Sequence, residues 1–183
     1  MIRGVLLAAG AGRRMGGPKA LLRDEEGRPW LLRGVEALRE GGCEEVTVVL
    51  GAAADEAITL LDGAGVDVVL APDWAEGMGA SLRAGLGSLG DDTEVAVVTL
   101  VDLVDVGPDV VRRVVAAEAG PTTLARASYA GVPGHPVLLG RDHWAGVLAA
   151  ATGDRGARDY LAGRDVALVA CEDLASGQDR DTP

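Results

Sequence analysis

The feature that most constrains the fold is an alternation of apolar, strand-like segments with segments of helical periodicity in the first two thirds of the chain. Predicted strands and helices take turns over residues 5–9, 29–40, 45–50, 53–61, 66–70, 79–89, 94–100 and 108–118. Consecutive strand–helix pairs form parallel sheets with right-handed crossovers. The alternation therefore predicts an α/β fold, in which three α/β/α layers enclose a mostly parallel sheet. Aromatic residues make up only 3%, with no Phe, so we expect a core of Val, Leu and Ala.

The last third of the chain is less regular. Residues 122–127, 136–139 and 166–169 have strand-like patterns, and residues 141–150 and 155–161 have helical ones. No repeat or linker divides the chain, so we predict a single domain over residues 1–183. Its polar, unpatterned end, residues 175–183, is a candidate flexible tail.

Charge, hydropathy and cysteine usage exclude several classes of protein. The formal net charge of −11 repels a phosphate backbone and disfavours nucleic-acid binding. No apolar run approaches the roughly 20 residues that a membrane span requires, so no membrane partner is expected. Cys43 and Cys171 are far apart and in no metal-binding or redox spacing, which predicts buried, reduced thiols. We therefore expect a cytoplasmic protein.

The strongest functional signal is the glycine-rich loop at residues 10–19, GAGRRMGGPK, which directly follows the first predicted strand. Ligands of open α/β sheets bind beyond the carboxyl ends of the strands. The four glycines of the loop allow backbone N–H groups to turn toward phosphate oxygens. Arg14 and Lys19, the only lysine of the chain, are placed to neutralise such oxygens. A surface turn with solvated charges is the alternative.

Two commoner phosphate-binding loops do not fit this segment. A P-loop ends in Gly-Lys-Ser/Thr, whereas Pro18 precedes Lys19 and Ala20 follows it. A dinucleotide fingerprint requires G-x-G-x-x-G and an acid about 20 residues later, at the end of the second strand. Here Gly16 lies one position too far, and the second strand ends at Leu50 without an acid. A nicotinamide cofactor is therefore disfavoured.

Residues 7–22, LAAGAGRRMGGPKALL, resemble the opening motif of the nucleotidyltransferases related to molybdenum cofactor biosynthesis. The resemblance implies a Rossmann-like sheet of the nucleotide-diphospho-sugar transferase type, with Arg14 and Lys19 on the triphosphate. It also implies that the nucleotide is cradled by Leu7, Ala8, Ala9, Gly10, Ala11 and Gly12. The start Ala8-Ala9-Gly10 is similar to that of the family's cytidylyltransferases, whereas its guanylyltransferases have Ala-Gly-Gly. We expect CTP to be favoured over GTP, because the methyl group of Ala9 reduces the space for a purine.

A carboxylate after the fourth predicted strand is the candidate metal ligand. Asp102 follows residues 94–100, at the sheet edge that also carries the glycine-rich loop. Mg²⁺ prefers oxygen ligands from a few carboxylates, phosphates and water. The family has Asp-Gln-Pro here, and this chain keeps the acid but continues with Leu103-Val104. A helix-capping or loop role for Asp102 is the alternative.

The end of the chain, DRDTP, resembles a late Asp-x-Asp-Thr-Pro motif of the same family. The resemblance implies that Asp179 and Asp181 join Asp102 on the metal. Two acids one residue apart point the same way in an extended segment. A solvated acidic tail is the alternative.

Three further segments resemble family motifs on the acceptor side of the site. Residues 73–82, DWAEGMGASL, imply that Trp74, Gly77 and Ser81 line the pocket between nucleotide and acceptor. The motif Gly134-His135-Pro136, whose outer residues predict a turn, implies an acceptor contact for His135. Residues 153–158, GDRGAR, imply phosphate contacts for Arg155 and Arg158, since guanidinium matches phosphate geometry. Packing roles for Trp74 and His135, and an exposed helix start for the arginines, are the alternatives.

These features predict a Mg²⁺-dependent nucleotidyltransferase that transfers CMP from CTP to a phosphorylated acceptor, best matched by molybdopterin, and releases pyrophosphate. Arg14, Lys19 and Asp102 are the predicted catalytic residues, acting by positioning and charge stabilisation. One alternative is a relative that uses GTP or another acceptor, such as a phosphorylated three-carbon acid in deazaflavin cofactor synthesis. A non-catalytic nucleotide-binding chaperone or sensor is the second. An oxidoreductase is the third, which a failed NAD(P)H titration would exclude.

Overall fold

The computed structural model describes residues 1–117 and 119–180, and the strands in these residues form one sheet. The strands are β1 (Ile2–Ala8), β2 (Glu45–Leu50), β3 (Asp67–Leu70), β4 (Val95–Leu100), β5 (Leu124–Tyr129), β6 (Val132–Gly140) and β7 (Ala167–Ala170). The α-helices are α1 (Trp30–Glu40), α2 (Ala54–Leu60), α3 (Met78–Gly87), α4 (Pro108–Val115), α5 (Trp144–Ala150) and α6 (Arg158–Leu161). Short 3₁₀ turns lie at Arg13–Met15, Lys19–Leu21, Trp74–Glu76, Arg141–His143 and Gly153–Arg155.

The strand order is β3-β2-β1-β4-β6-β5-β7, and every neighbouring pair is parallel except the two that involve β6. β6 runs against the others because a two-residue hairpin joins it to β5. The turn residues Ala130 and Gly131 have φ of 50° and 79°, as a type I′ turn requires. The predicted mostly parallel sheet is confirmed. All strands other than β6 end at one edge of the sheet, where ligands of this architecture bind.

Helices cover both faces of the sheet, which confirms the predicted three layers. On β1, Leu6 and Ala8 belong to one buried cluster, and Val5 and Leu7 belong to the other. The first cluster includes side chains of α1 and α4, and the second includes side chains of α3 and α5. The largest fully buried side chains are all Leu or Val. Each contributes about 1.5–3 kcal/mol by leaving water, so small apolar residues stabilise this core without Phe.

Two local predictions are wrong. The predicted turn around His135 is part of β6, which stays extended while Gly134 packs beneath the ring of Tyr129. A Cβ on Gly134 would lie 2.7 Å from that ring, so the residue serves close packing, and the chain reverses at residues 130–131 instead. The helix predicted over residues 155–161 is interrupted, because Gly156 has a φ of 53°. It divides into the turn Gly153–Arg155 and the short helix α6.

Other predicted features agree with the structure. The helix predicted over residues 108–118 is α4, which ends at Val115, and residue 118 lies outside the described residues. Cys43 and Cys171 are buried free thiols, and burial raises the pKa of the Cys43 thiol to about 12. Among the described helices, none combines the length and apolar character that crossing a bilayer demands.

Candidate nucleotide-binding site

A cavity of about 440 Å³ lies at the carboxyl ends of β1 and β4. Two backbone hydrogen bonds fix its floor: the N–H of Val101 donates to Leu7 O at 3.1 Å, and that of Ala52 donates to Ala9 O at 3.0 Å. The end of β1 is thereby tied to both neighbouring strands. Every residue that the sequence predicts to bind the nucleotide lines this cavity, namely Leu7, Ala8, Ala9, Gly10, Ala11, Gly12, Arg14 and Lys19.

The glycine-rich loop folds back on itself at Gly12. Its carbonyl accepts hydrogen bonds from the N–H groups of Met15 at 2.9 Å and Gly17 at 3.3 Å. Gly12 has a φ of 56°, and a Cβ there would lie 2.0 Å from Gly17 O, so this position requires glycine. At Gly10, by contrast, a Cβ would meet nothing within 4 Å. Gly12 therefore closes the loop, whereas Gly10 leaves space above the floor of the cavity.

Lys19 and Asp102 meet across the cavity although they lie 83 residues apart in the chain. The ammonium Nζ donates to Asp102 Oδ2 at 2.5 Å, and the two side chains are only 18% and 9% exposed. The fold produces this contact because β1 and β4 are paired in parallel, with Leu7 opposite Leu100. Charges that are shielded from water interact more strongly than surface charges. The sheet edge thus holds a cation and an anion in direct contact at the predicted phosphate site.

The facing wall of the cavity comes from the Trp74–Glu76 turn and the start of α3. Trp74, Gly77 and Ser81 line it, and Ser81 is buried. Trp74 also packs on Gly51, where a Cβ would lie 2.5 Å from Trp74 Cγ. Of the predicted acceptor residues, these three are therefore brought to the cavity. Trp74 has a packing role as well.

Asp154 completes this wall and was not predicted from the sequence. It lines the cavity beside Gly77, where a Cβ would lie 2.4 Å from Asp154 Oδ1. A Cβ on Gly79 would lie 2.8 Å from Thr152 N, so both glycines permit close contact with residues 151–154. Asp154 lies in the segment GDRGAR, so this motif was the signal that could have identified it.

The other predicted acceptor residues, His135, Arg155 and Arg158, do not line the cavity. Arg155 is exposed and forms an ion pair with Asp159 at 2.7 Å. His135 lies on β6, where burial lowers its pKa to about 4, with further lowering by the charges of Arg126 and Arg158. The Nε of Arg126 donates to Gly134 O at 3.0 Å, so Arg126 lies next to the segment that carries His135, outside the cavity.

Residues 175–180 run along the sheet edge toward Asp102. The N–H and Oγ of Ser176 both donate to Asp105 Oδ2, at 2.7 and 2.6 Å. Farther on, the N–H of Arg180 donates to Asp102 O at 3.1 Å. Asp179 precedes this contact by one residue, so the chain passes next to the predicted metal ligand. Asp181, the other predicted ligand of the tail, lies outside the described residues.

The carboxylates of the cavity fit a divalent cation that arrives with a triphosphate. Asp102 and Asp154 line the cavity, and Asp102 is 7% exposed. Within residues 1–117 and 119–180, no three His, Cys, Asp or Glu side chains form a group that could hold a metal. Mg²⁺ in nucleotide sites needs only one or two protein carboxylates, since phosphates and water supply the other ligands. The donor set therefore matches a metal–nucleotide complex rather than an all-protein cage.

The fold and the cavity together define a class of protein. The carboxyl end of the first strand of a three-layer α/β fold is surrounded by a glycine-rich loop, an arginine and a lysine. These groups face an aspartate that follows a neighbouring strand. The cavity has the size of small-molecule sites, which range over about 300–1,000 Å³. This is the architecture of a nucleotide-binding α/β protein.

The chain belongs to the family of MobA-like NTP transferase domains, whose sequence profile matches residues 4–170. This match confirms the resemblance seen in the sequence. A relative named nicotine blue oxidoreductase, from Paenarthrobacter nicotinovorans, is 35% identical over 191 residues, covering 99% of this chain and 92% of that protein.

Solved structures show the same fold. Rv0371c from Mycobacterium tuberculosis H37Rv has a TM-score of 0.78 at 30% identity, over 99% of this chain and 93% of that one. The same protein has also been solved as a complex with manganese. A nucleotidyl transferase of Methanothermobacter has a TM-score of 0.76 at 27% identity, over 93% and 87% of the two chains. The predicted nucleotide-diphospho-sugar transferase fold is confirmed.

Proposed function

We propose that this protein transfers a nucleotidyl group from a nucleoside triphosphate to a phosphorylated small molecule and releases pyrophosphate. The observation that carries the proposal is the contact between Lys19 and Asp102 in a cavity that the glycine-rich loop also lines. A triphosphate needs cations for its oxygens and a carboxylate to help hold its metal. Membership of the MobA-like NTP transferase domain family supports the same reaction.

The chain's own residues have distinct roles in the proposed reaction. The backbone of residues 7–12 cradles the nucleotide, and Arg14 and Lys19 neutralise the phosphates. An oxygen of the acceptor phosphate attacks the α-phosphorus, the bond to the bridging oxygen of the β-phosphate breaks, and pyrophosphate leaves. The new bond between the acceptor oxygen and the α-phosphorus replaces the broken bond between the α-phosphorus and the bridging oxygen. Positioning and fixed charges lower the barrier, with no covalent intermediate on the protein.

Mg²⁺ is the proposed metal, held by Asp102 with the help of Asp179 and, outside the described residues, Asp181. When bound, the cation would offset negative charge on the reacting phosphates and the departing pyrophosphate. The manganese complex of Rv0371c supports a divalent cation in this fold. The backbone contact between Arg180 and Asp102 supports the participation of the tail.

CTP is the proposed nucleotide and molybdopterin the proposed acceptor. Ala9 is buried at the end of β1 and lines the cavity, where its methyl group takes up space that the glycine of an Ala-Gly-Gly start leaves open. The smaller pyrimidine ring of CTP fits this reduced space. Molybdopterin follows from the resemblance of the chain to transferases of molybdenum cofactor biosynthesis. We further propose a cytoplasmic location, which the two unpaired thiols favour.

Pyrophosphate release tests the proposal. Purified protein is incubated with Mg²⁺, molybdopterin and each of CTP, GTP, ATP and UTP, with acceptor-free and metal-free reactions as controls. We expect pyrophosphate with CTP only when acceptor and metal are both present, and almost none from Lys19→Ala. Pyrophosphate release that is equal in wild type and Lys19→Ala would contradict the proposed mechanism. A preference for GTP would contradict the choice of CTP as the nucleotide, but not the proposed transfer reaction.

A second candidate, an NAD(P)H-dependent oxidoreductase, is favoured by one observation, the 35% identity to nicotine blue oxidoreductase over 99% of the chain. The reaction would move a hydride from the nicotinamide ring to an oxidised acceptor, with the cofactor's diphosphate on the glycine-rich loop. A dinucleotide site of the usual kind has an acid at the end of the second strand that binds the ribose. β2 ends at Leu50 without one, which counts against this candidate. Titrating NADH and NADPH by fluorescence separates the two candidates. Saturable binding of either, without pyrophosphate release from any triphosphate, would replace the transferase assignment.

A further inference from the structure

A second cavity, of about 200 Å³, lies across the sheet from the nucleotide cavity, which the glycine-rich loop lines. Its walls include Trp30 and Ala37 of α1 and Val111 of α4, which belong to the buried cluster on that face of the sheet. The wall of the nucleotide cavity that precedes α3 packs on the opposite face. The two cavities meet only at Leu100 and Val101, which line both, so the second cavity is a separate space.

Two polar side chains that line the second cavity are buried without a hydrogen-bond partner in residues 1–117 and 119–180. They are Trp30, which is 3% exposed, and Thr99 of β4, which is 4% exposed, and the atoms concerned are Trp30 Nε1 and Thr99 Oγ1. Nearly all buried polar groups in folded proteins have a partner, because an unpaired one costs free energy. Trp144 shows the usual arrangement, since its Nε1 donates to Leu139 O at 2.9 Å. Trp30 and Thr99 therefore call for partners from outside the described chain.

The volume of the second cavity decides between a bound water and a larger ligand. One water needs only about 10–15 Å³ of such space, and it also needs at least two polar partners. Much of the wall is apolar, with Leu103, Val106 and Val111 among its residues, and offers no partners to further waters. An apolar cavity of roughly 150 Å³ admits benzene. At about 200 Å³, the second cavity has room for a molecule built on one six-membered ring.

The charged side chains of the second cavity are exposed or half-buried, and most of them are paired. Arg33 Nη1 donates to Asp24 Oδ2 at 3.0 Å, and Arg28 Nη2 donates to Glu36 Oε2 at 2.7 Å. The wall also includes Glu26, so three acids and two arginines give it a formal charge of −1. This charge disfavours an anion, and the apolar interior disfavours a cation, because neither ion would be compensated there. A neutral ligand is the remaining class.

We propose that the second cavity binds a small neutral molecule with a carbonyl group, of the size of a six-membered ring. The indole N–H of Trp30 can only donate a hydrogen bond, so its partner must be an acceptor such as a carbonyl oxygen. The hydroxyl of Thr99 can donate or accept, so it suits either the oxygen or the N–H of an amide. Neither Lys19 nor Asp102 lines the second cavity, and the proposal does not depend on the transfer reaction.

NMR of the indole N–H groups tests the site, because the three tryptophans of the chain have different surroundings. Trp30 lines the second cavity, Trp74 lines the nucleotide cavity, and Trp144 is hydrogen-bonded to Leu139. The titrated probe is 2-piperidone, a lactam with a six-membered ring, and Trp30→Phe assigns the signal. We expect a saturable shift of the Trp30 signal and unchanged signals from Trp74 and Trp144.

Matched compounds and variants make the test specific. Benzene, which has no hydrogen-bonding group, should bind about fivefold more weakly than 2-piperidone, the loss expected for one hydrogen bond. Pentanoate should not bind. Thr99→Val, which keeps the shape of the side chain, should weaken 2-piperidone severalfold and leave benzene unchanged. Thr47→Val removes the hydroxyl of a buried threonine outside the second cavity and should change neither affinity.

Each contrary result overturns a stated part of the proposal. If 2-piperidone leaves the Trp30 signal unchanged at the highest concentration at which the protein stays folded, the second cavity holds only water and the site is refuted. Equal affinity for benzene, or an unchanged affinity for 2-piperidone in Thr99→Val, would show that the polar groups do not select a carbonyl. Tighter binding of pentanoate would refute a neutral ligand. None of these results bears on pyrophosphate release, which tests the proposed function separately.

Discussion

The nucleotide cavity and the basic side chains on β5, β6 and α6 differ in how their charges are balanced. On the nucleotide side, Lys19 and Asp102 neutralise each other at 2.5 Å. Outside the cavity, the pKa of His135 is lowered by burial and then by the charges of Arg126 and Arg158, neither of which forms an ion pair within the described residues. The cavity therefore carries a cation and an anion that compensate each other. The basic side chains beside it repel one another instead.

The ion pair and the repelling charges contribute differently to the stability of the fold. An ion pair that is shielded from water leaves an uncompensated charge when one partner is removed, and the fold is destabilised. Removing one of several like charges that repel one another should instead stabilise the fold.

Lys19→Ala and Asp102→Ala should each reduce turnover by about 10²-fold or more, the usual loss when a charge-stabilising group is removed from an active site. Pyrophosphate release measures the effect, and circular dichroism tests whether each variant is folded. The double variant should lose little more than either single variant, since the residues act together. If both single variants turn over at near-normal rates, the balanced pair is only structural.

Gly12→Ala should lower both stability and nucleotide affinity. A left-handed φ for alanine costs about 1–2 kcal/mol, and the added Cβ would lie 2.0 Å from Gly17 O. Gly17→Ala is the matched control, since its Cβ would meet nothing within 4 Å. Urea unfolding and CTP titration measure the two effects. Equal behaviour of the two variants would show that the loop does not close as described.

His135 should make the protein less stable as the pH falls from about 6.5 to about 4. Burial and two arginines lower its pKa from the usual 6.5 to about 4, so the unfolded chain binds the proton more readily in this window. Stability therefore rises with pH across the window, by an amount on the order of 1–3 kcal/mol. Urea unfolding at several pH values measures it. His135→Gln should flatten this part of the profile, and an unchanged profile would place the imidazole in water.

Arg158→Gln should leave the free energy of unfolding unchanged or slightly higher, within the roughly 0.5 kcal/mol typical of surface substitutions. It removes a charge that repels Arg126 and His135. Arg113→Gln is the contrasting variant, because it removes two hydrogen bonds to Asp173, at 2.5 and 2.9 Å, and should lower stability. Urea unfolding compares them. A clear loss of stability in Arg158→Gln alone would mean that Arg158 makes a net stabilising interaction and does not repel Arg126 and His135.

Much of the fold and the nucleotide side could be predicted from the sequence. Periodicity predicts the parallel sheet because apolar residues in strands and helices repeat with different spacings. The glycines, Lys19 and Asp102 follow strands whose carboxyl ends share one edge, so their meeting follows from topology. Asp154 and Arg126 could not be found in this way. Asp154 reaches the cavity only because Gly77 and Gly79 allow residues 151–154 to approach α3.

The architecture and the glycine-rich loop can be recognised from the sequence alone, because both are encoded in local patterns of apolar residues and glycines. Only the tertiary structure decided the direction of β6, the passage of the tail beside Asp102 and the gathering of Arg126, Arg158 and His135. These features bring together residues far apart in the chain, and the direction of β6 depends on the hairpin reversal at Ala130 and Gly131. Contacts of that kind are set by the packing of whole elements, which no local pattern specifies.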